Sequence, residues 1–207
     1  MFTGLVESLG TLLESRIDSD GIGRWLTIEA PWTQDLTLGE SIAVNGVCLT
    51  VVDRQSQRFG VQVSPTTLNL TTLGELVPTV PVNLERSVTP STRLGGHWVL
   101  GHVDTRGAIT AMRPEGDVHH VTVSYSPEYH RWVLPQGSIT LDGISLTIAE
   151  HSISEIQVTL IPHTWHHTNA SQWSVGSAIN MEFDVLGKYV EQLMAPYASL
   201  RGGPIDD

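Results

Sequence analysis

The sequence is written twice. Gly39 to Val51 reads GESIAVNGVCLTV and Gln136 to Ile148 reads QGSITLDGISLTI, and the two superpose without a gap at an offset of 97 residues (145 − 48 = 97). Ser41, Ile42, Gly46, Leu49 and Thr50 recur as Ser138, Ile139, Gly143, Leu146 and Thr147. Roughly one identity is expected by chance over a window of this length. Asn45 faces Asp142 and Cys48 faces Ser145, both near-isosteric exchanges. The same offset carries Pro65, Thr67 and Thr71 onto Pro162, Thr164 and Thr168. It also carries Asn83-Leu84-Glu85 onto Asn180-Met181-Glu182, and Gly4, Val6 and Gly10 onto Gly101, Val103 and Gly107. A period this long and this regular marks a duplicated fold. The repeat predicts one copy over 1–97 and a second over 98–185. Their join lies near Arg93-Leu94-Gly95-Gly96, where two glycines permit a sharp redirection of the chain. Residues 186–207 have no counterpart in the first copy.

Composition narrows the function. With 40% hydrophobic and 16% charged residues the chain can bury real cores and does not read as disordered. A net charge of −11 repels phosphate backbones and anionic lipid, which argues against nucleic-acid and membrane partners. The single cysteine excludes an intrachain disulfide and a cysteine-rich metal site. The N-terminus lacks the basic and apolar regions of a signal peptide, and no run of about 18 apolar residues occurs. The expectation is a soluble, cytoplasmic globular protein.

Within each copy the pattern is of short strands between Gly, Pro and Asp turns. Arg24–Glu29, Arg58–Val63 and Val118–Ser124 alternate. Asn45-Gly46 and Asp142-Gly143 are hairpin turns, because both central residues tolerate positive φ. They join Ser41–Val44 to Val47–Val52, and Ser138–Leu141 to Ile144–Ala149. About six strands in about 95 residues predict a small closed or partly closed barrel. After it, Val185, Leu186, Tyr189, Val190, Leu193, Met194 and Tyr197 recur at helical spacing, with Asp184 as cap and Pro196 near the end. This stripe either packs back on the second barrel or mediates self-association. Arg201 to Asp207 reads as a frayed tail.

Alternation places Cys48 and Thr50 on one strand face, and Ser145 and Thr147 likewise. They are either small buried residues of a barrel wall or polar groups lining a pocket; their recurrence favours the pocket. GGHWVLGHVD (Gly95 to Asp104) sets two histidines among glycines that let backbone approach a flat ligand. A histidine titrates near neutrality and can move protons. At the repeat offset His102 faces Leu5, so the copies differ where divided labour would require it. His163, His166 and His167 invite a metal reading, but successive histidines on a strand diverge, and no carboxylate or thiol lies close in sequence. His119-His120 has the same defect. The three tryptophans Trp132, Trp165 and Trp173 read as core or pocket walls.

MFTGLVE, GESIAVNGVCLTV, VNLERSV, GGHWVLGHVD, GSITLDGISLTI and NMEFDVLGKYVEQL together resemble the riboflavin synthases of the duplicated-barrel type, from Met1 to about Leu193. Six motifs in order at the right separations make the match specific. The resemblance implies an all-β fold of two tandem six-stranded, Greek-key-like barrels plus a C-terminal α-helix, the helix and tail over 186–207 serving oligomerisation. Enzymes of this family take two molecules of 6,7-dimethyl-8-ribityllumazine and transfer a four-carbon unit, giving riboflavin and 5-amino-6-ribitylaminouracil. They use no metal and no organic cofactor. Each barrel binds one lumazine, and the active site forms where the N-terminal barrel of one subunit meets the C-terminal barrel of its neighbour in a homotrimer. An association with lumazine synthase is left open.

Carried over by residue, the resemblance implies that Cys48 and His102 occupy the proposed nucleophile and proton-transfer positions. Ser145, Thr147, Ser41 and Asp184 become polar groups near the reacting rings, and Phe2 an aromatic at the pocket edge. The ligand would be gripped by Gly4, Leu5 and Val6; Cys48, Leu49 and Thr50; Gln62, Val63, Ser64, Pro65, Thr66 and Thr67; and Gly101, His102 and Val103. Ser145, Leu146 and Thr147, with Leu160, Ile161, Pro162, His163 and Thr164, would hold the second molecule, largely through backbone. Two departures stand out. Gln136 takes the place of a family lysine, removing a positive charge near the ligand. Pro65-Thr66-Thr67 and Pro162-His163-Thr164 stand where Pro-Glu-Thr is common. A non-catalytic lumazine or flavin carrier is the rival reading, and a metal enzyme built on His163 to His167 a second.

Overall fold

The computed structural model describes residues 1–18 and 21–198, so the predicted tail at 201–207 lies outside the described residues. The first copy holds β1 (Ser8–Ile17), β2 (Arg24–Glu29), β3 (Ser41–Val44), β4 (Val47–Arg54), β5 (Arg58–Val63), α1 (Pro65–Leu70) and β6 (Pro81–Arg86). The second holds β7 (Thr105–Glu115), β8 (Val118–Ser124), β9 (Ser138–Leu141), β10 (Ile144–His151), β11 (Glu155–Leu160), α2 (Pro162–His167) and β12 (Ala178–Phe183). Helix α3 (Val185–Ala198) follows. Each set of six strands closes into an antiparallel barrel, in the cyclic orders β1-β2-β5-β4-β3-β6 and β7-β8-β11-β10-β9-β12. Closure removes the unpaired edges that an open sheet would expose. The irregularities are duplicated with the strands. Register slips between Leu12 and Glu14 and between Val51 and Asp53, and again between Ile109 and Ala111 and between Ile148 and Glu150. No helix among the described residues is long and apolar enough to cross a membrane.

The hairpin turns form as their sequence requires. Asn45 and Gly46 sit at φ 45° and 76°, Asp142 and Gly143 at 45° and 81°. Two successive left-handed residues give the turn whose twist matches the flanking strands. The two turns also meet. A Cβ on Gly46 would lie 2.6 Å from the Gly143 nitrogen, and one on Gly143 2.7 Å from the Gly46 nitrogen. Glycine is therefore needed twice over, for φ and for space.

A buried polar network surrounds this contact, and it too repeats. Asn83 N–H donates to Asn45 Oδ1 (2.7 Å), as Asn180 N–H does to Asp142 Oδ1 (2.9 Å). The Asn83 amide reaches the Asp142 carbonyl and the Asn180 amide the Asn45 carbonyl. Thr72 N–H donates to Asn180 Oδ1, and Asn169 N–H to Asn83 Oδ1. Asn169 Nδ2 bridges Asn45 and Asp142. Buried amides are tolerated because each finds a partner. Burial pushes the Asp142 carboxyl up to about 6, against the pull of its amide donors.

The leading segments cross over. Val103, at the start of the second copy, packs into the first core with Val44, Leu49 and Val51. Val6 packs against the second core, with Ile139, Leu141 and Ile144. A fully buried valine side chain contributes about 1.5–3 kcal/mol; Val103 is buried and Val6 half-buried, so the exchange ties the barrels together.

Two expectations change. The His163–His167 stretch is the short helix α2, not a strand, opened by Pro162 at its first turn. Proline presets the helical φ, and six residues are too few to show periodicity. The segment after Ser64 forms the matching helix α1, with Ser64 Oγ accepting from Thr67 N–H. Gly95 and Gly96 are not left-handed. Their glycines answer to space: a Cβ on Gly96 would fall 2.1 Å from the Thr3 carbonyl oxygen.

Candidate active site

In β3 and β4, Ile42, Val44, Val47, Leu49 and Val51 fill the barrel core. The opposite face therefore presents Ser41, Ala43, Cys48 and Thr50, with Ser41 across from Thr50 and Ala43 across from Cys48. In the second copy Ser138 lies across from Thr147 and Thr140 from Ser145. The free thiol of Cys48 and the hydroxyl of Ser145 are half-buried; Thr50 and Thr147 are exposed.

Each face receives the leading segment of the other copy. Cys48 N–H donates to the Gly101 carbonyl (2.9 Å) and Ser145 N–H to the Gly4 carbonyl (2.7 Å). Gly101 and Gly4 are left-handed, at φ 74° and 77°. A Cβ on Gly101 would stand 2.6 Å from that of Cys48, and one on Gly4 2.6 Å from that of Ser145. No other residue fits either position. The segments pair with one another through Phe2 and Val99, whose N–H groups each bond the other's carbonyl.

Two carboxylates hold the segments in place. Glu85 accepts from Thr3 N–H (2.6 Å), Thr3 Oγ1 (2.8 Å) and Gly4 N–H (3.0 Å). Glu182 accepts from Leu100 N–H (2.8 Å) and Gly101 N–H (3.0 Å). Burial pushes both carboxyls up, while these donors favour the charged form. Neither was expected as a site residue, although Asn83-Leu84-Glu85 and Asn180-Met181-Glu182 carried the signal: an acid repeated at the end of an apolar strand.

His97, the first of the two histidines in GGHWVLGHVD, is a further residue to which the sequence assigned no site role. It is buried, with Nδ1 2.7 Å from Ser145 Oγ and Nε2 3.3 Å from Thr140 Oγ1. Burial lowers its pKa, and the nearby Asp184 charge pulls it back. Burial thus favours the neutral ring, which has hydroxyls at both nitrogens and can accept a proton on one and release one from the other. At the repeat offset its counterpart would precede Met1, so the comparison of copies could not flag it.

His102 is exposed beside Gly101, and its equivalent Leu5 is exposed beside Gly4. Asp184 caps α3, its Oδ1 accepting from Leu186 N–H (2.9 Å). Phe2 is not at an open edge. It is fully buried against Ala43, Val99 and Cys48, because the crossing segments close over it. The side chains of Leu49, Val63, Val103 and Leu160 point into barrel cores, which leaves their backbone to meet a ligand, and the half-buried Leu146 packs against the second core. Gln62 is exposed and donates to Asp18 Oδ2. Val6 packs on the second core; Ser64 caps α1 and its hydroxyl meets that of Thr67, beside Pro65 and the exposed Thr66. Ile161, Pro162 and His163 are exposed and Thr164 half-buried at the start of α2. Gln136 is exposed at φ 59°.

His163 and His167 stack at 4.2 Å, and His167 Nδ1 lies 2.8 Å from the His163 carbonyl. Among the described residues, no group of three or more His, Cys, Asp or Glu side chains could hold a metal ion.

Each of the two barrels matches the family model of the lumazine binding domain, the first over residues 3–87 and the second over 100–184. Solved structures of LumP share the fold. The complex with riboflavin has a TM-score of 0.81 at 24% identity over 88% of this chain and 99% of that one. The complex with 6,7-dimethyl-8-(1'-D-ribityl) lumazine gives 0.79 at 24% identity, over 88% and 98%. Among curated proteins, the riboflavin synthase of Mycobacterium tuberculosis (strain ATCC 25618 / H37Rv) is 44% identical, covering 94% of this chain and 98% of its own. That of Actinobacillus pleuropneumoniae is 42% identical over 94% and 90%, and that of Schizosaccharomyces pombe 41% over 94% and 94%. This chain belongs to the riboflavin synthase family.

Proposed function

We propose that this protein is a riboflavin synthase, converting two molecules of 6,7-dimethyl-8-ribityllumazine into riboflavin and 5-amino-6-ribitylaminouracil. The observation that carries this reading is the reciprocal docking of Gly101 on Cys48 and Gly4 on Ser145. It makes two related half-sites, as a reaction between two copies of one heterocycle requires. Holding both reactants in register removes several kcal/mol of the barrier.

The half-sites are unlike, and so are the tasks. One ring must lose a proton from its 7-methyl group; the other must accept a nucleophile. At the second barrel, buried His97 backs the Ser145 hydroxyl and Thr140 relays beyond it. At the first, Cys48 lies under Gly101 with His102 beside it. Cys48 supplies the nucleophile or positions a water, and His102 moves the proton; Ser41, Thr50, Thr147 and Asp184 complete the polar lining. Gly4 to Val6, Gln62 to Thr67, Gly101 to Val103 and Leu160 to Thr164 grip the two ligands.

The protein works as a homotrimer in the cytoplasm, with residues 1–97 and 98–185 as its barrels. The first barrel of one chain faces the second barrel of its neighbour. Leu186, Tyr189, Val190, Leu193, Met194 and Tyr197 of α3 are all more than half exposed, an apolar stripe suited to that assembly. Incubation with the lumazine as sole substrate tests the function. Riboflavin should appear at one molecule per two consumed. Tight binding without turnover would instead identify a carrier.

A further inference from the structure

The two copies close their leading segments with the same bond but draw the cation from different places. In the first copy Glu7 N–H donates to the Leu84 carbonyl and Arg86 N–H to Glu7 Oε1 (3.0 Å). The Arg86 side chain then completes the pair, Nε to Glu7 Oε2 at 2.8 Å. In the second copy Asp104 N–H donates to the Met181 carbonyl and Phe183 N–H to Asp104 Oδ2 (2.9 Å). Phe183 stands where the arginine stood. It is buried and stacked on Tyr129 (5.5 Å) with Tyr125 and Trp132 around it. The missing cation comes from outside the barrel: Lys188 of α3 reaches Asp104 with Nζ–Oδ distances of 2.6 and 2.5 Å.

The two pairs differ in weight. Arg86 and Glu7 are 38% and 31% exposed; Lys188 and Asp104 are 22% and 15%. Water screens the first more than the second. The Lys188 charge also favours the ionised form of Glu182, the carboxylate that holds Leu100 and Gly101. Its ammonium lies 5.5 Å from the centre of the Trp132 ring, and Trp132 Nε1 donates to Glu191 one turn further along α3.

We infer that Lys188 and Asp104 are positioning residues for the first-barrel half-site. They form a strut by which helix α3 fixes the segment that sets Gly101 on Cys48 and presents His102. This inference rests on the proposed riboflavin synthase activity for its catalytic consequence, though not for its structural one. It predicts that the half-site built on the second copy's segment depends on α3, and so on whatever covers the exposed stripe of that helix. The half-site built on the first copy's segment does not.

Four variants test it: Lys188→Met, Asp104→Asn, Lys188→Arg and, as the symmetry control, Arg86→Met. Two readings are taken in the full-length protein: kcat and KM with the lumazine, and amide exchange at Leu100 and Gly101 against Thr3 and Gly4. Lys188→Met and Asp104→Asn should each lower kcat about tenfold with a smaller change in KM, and the double variant should be no worse than the poorer single. Exchange at Leu100 and Gly101 should quicken about tenfold in both, with Thr3 and Gly4 unaffected. Lys188→Arg should recover most of both readings. Arg86→Met should stay within about twofold of the parent protein in kcat. Unchanged exchange in Lys188→Met, or an equal loss of kcat in Arg86→Met, overturns the strut. Absence of turnover in the parent protein would defeat the functional reading, while the exchange contrast would still decide the strut.

Discussion

The first and second barrels share strand order, bulges, hairpin turns and the acid that anchors each leading segment. They part company at the outward faces proposed to meet a ligand. Cys48 becomes Ser145, Leu5 becomes His102, and the buried His97 serves only the second barrel. What the two copies keep in common is what closes a barrel and docks its neighbour. What differs is what a reaction between two identical molecules must differentiate: one has to give up a proton and the other to receive a carbon.

The largest effect should come from removing that difference. His102→Ala deletes the group proposed to move a proton beside Cys48, and general acid–base catalysis is worth about 10²–10⁴-fold. The expected outcome is a fall in kcat of at least about 100-fold, with lumazine affinity changed far less. Leu5→Ala, the same truncation in the other half-site, should weaken binding and leave kcat nearly intact. Steady-state kinetics with ligand titration separates the two, and an unchanged rate in His102→Ala removes the role assigned to it.

The next effect should be equal in both copies. Gly46→Ala and Gly143→Ala each drive a Cβ into the facing backbone at a positive φ. Left-handed strain and overpacking together cost about 2–4 kcal/mol. Chemical denaturation should show both variants destabilised by similar amounts; a large inequality would mean that the turns do not bear on each other as a symmetric pair.

These turns were legible in the sequence because Asn-Gly and Asp-Gly carry their own conformational demand. So was the face shared by Cys48 and Thr50, since strand alternation is local. Helices α1 and α2 were not, because six residues cannot display a helical period. Phe2 was misplaced for a different reason: its burial depends on Val99, nearly a hundred residues away, crossing the same gap. Glu85 and Glu182 were visible as repeats but not as anchors, because their partners are backbone N–H groups that sequence does not distinguish. The close approach at Gly96 likewise exists only once Thr3 is beside it.

Asn45 and Asp142 offer a titratable version of the comparison. An acid whose folded pKa lies above its unfolded value favours the fold when protonated. Stability from Asp142 is therefore full below pH 3.8, declines as pH rises to about 6, and is level beyond that. The fully buried group makes this worth up to about 3 kcal/mol. Glu85 and Glu182, also raised by burial, add to the same slope. His97 opposes it: its lowered pKa means stability is lost as pH falls below the usual histidine range. Asp142→Asn should flatten part of the decline between pH 4 and pH 6, measured as denaturation midpoints across that range. An identical pH profile in the variant would show that Asp142 does not titrate in the fold.

The smallest effects exploit two places where the copies exchanged glycine for a side chain in opposite directions. Gly39 at φ 89° corresponds to Gln136 at φ 59°, and Thr79 at φ 78° corresponds to Gly176 at φ 93°. A Cβ on Gly39 or Gly176 would meet nothing within 4 Å, so conformation alone sets the cost of a side chain there. Left-handed backbone is worse for a β-branched residue than for a linear one. Thr79→Gly should therefore stabilise the protein by about 1 kcal/mol and Gln136→Gly by about half as much, after the entropy glycine forfeits on folding. Gln136→Lys, which adds the positive charge that the family resemblance implies there, should leave stability unchanged within about 0.5 kcal/mol and tighten lumazine binding by less than about tenfold. If Gln136→Gly gained more than Thr79→Gly, side-chain shape would not be what distinguishes these two turns, and the copies would differ there in backbone rather than in residue choice.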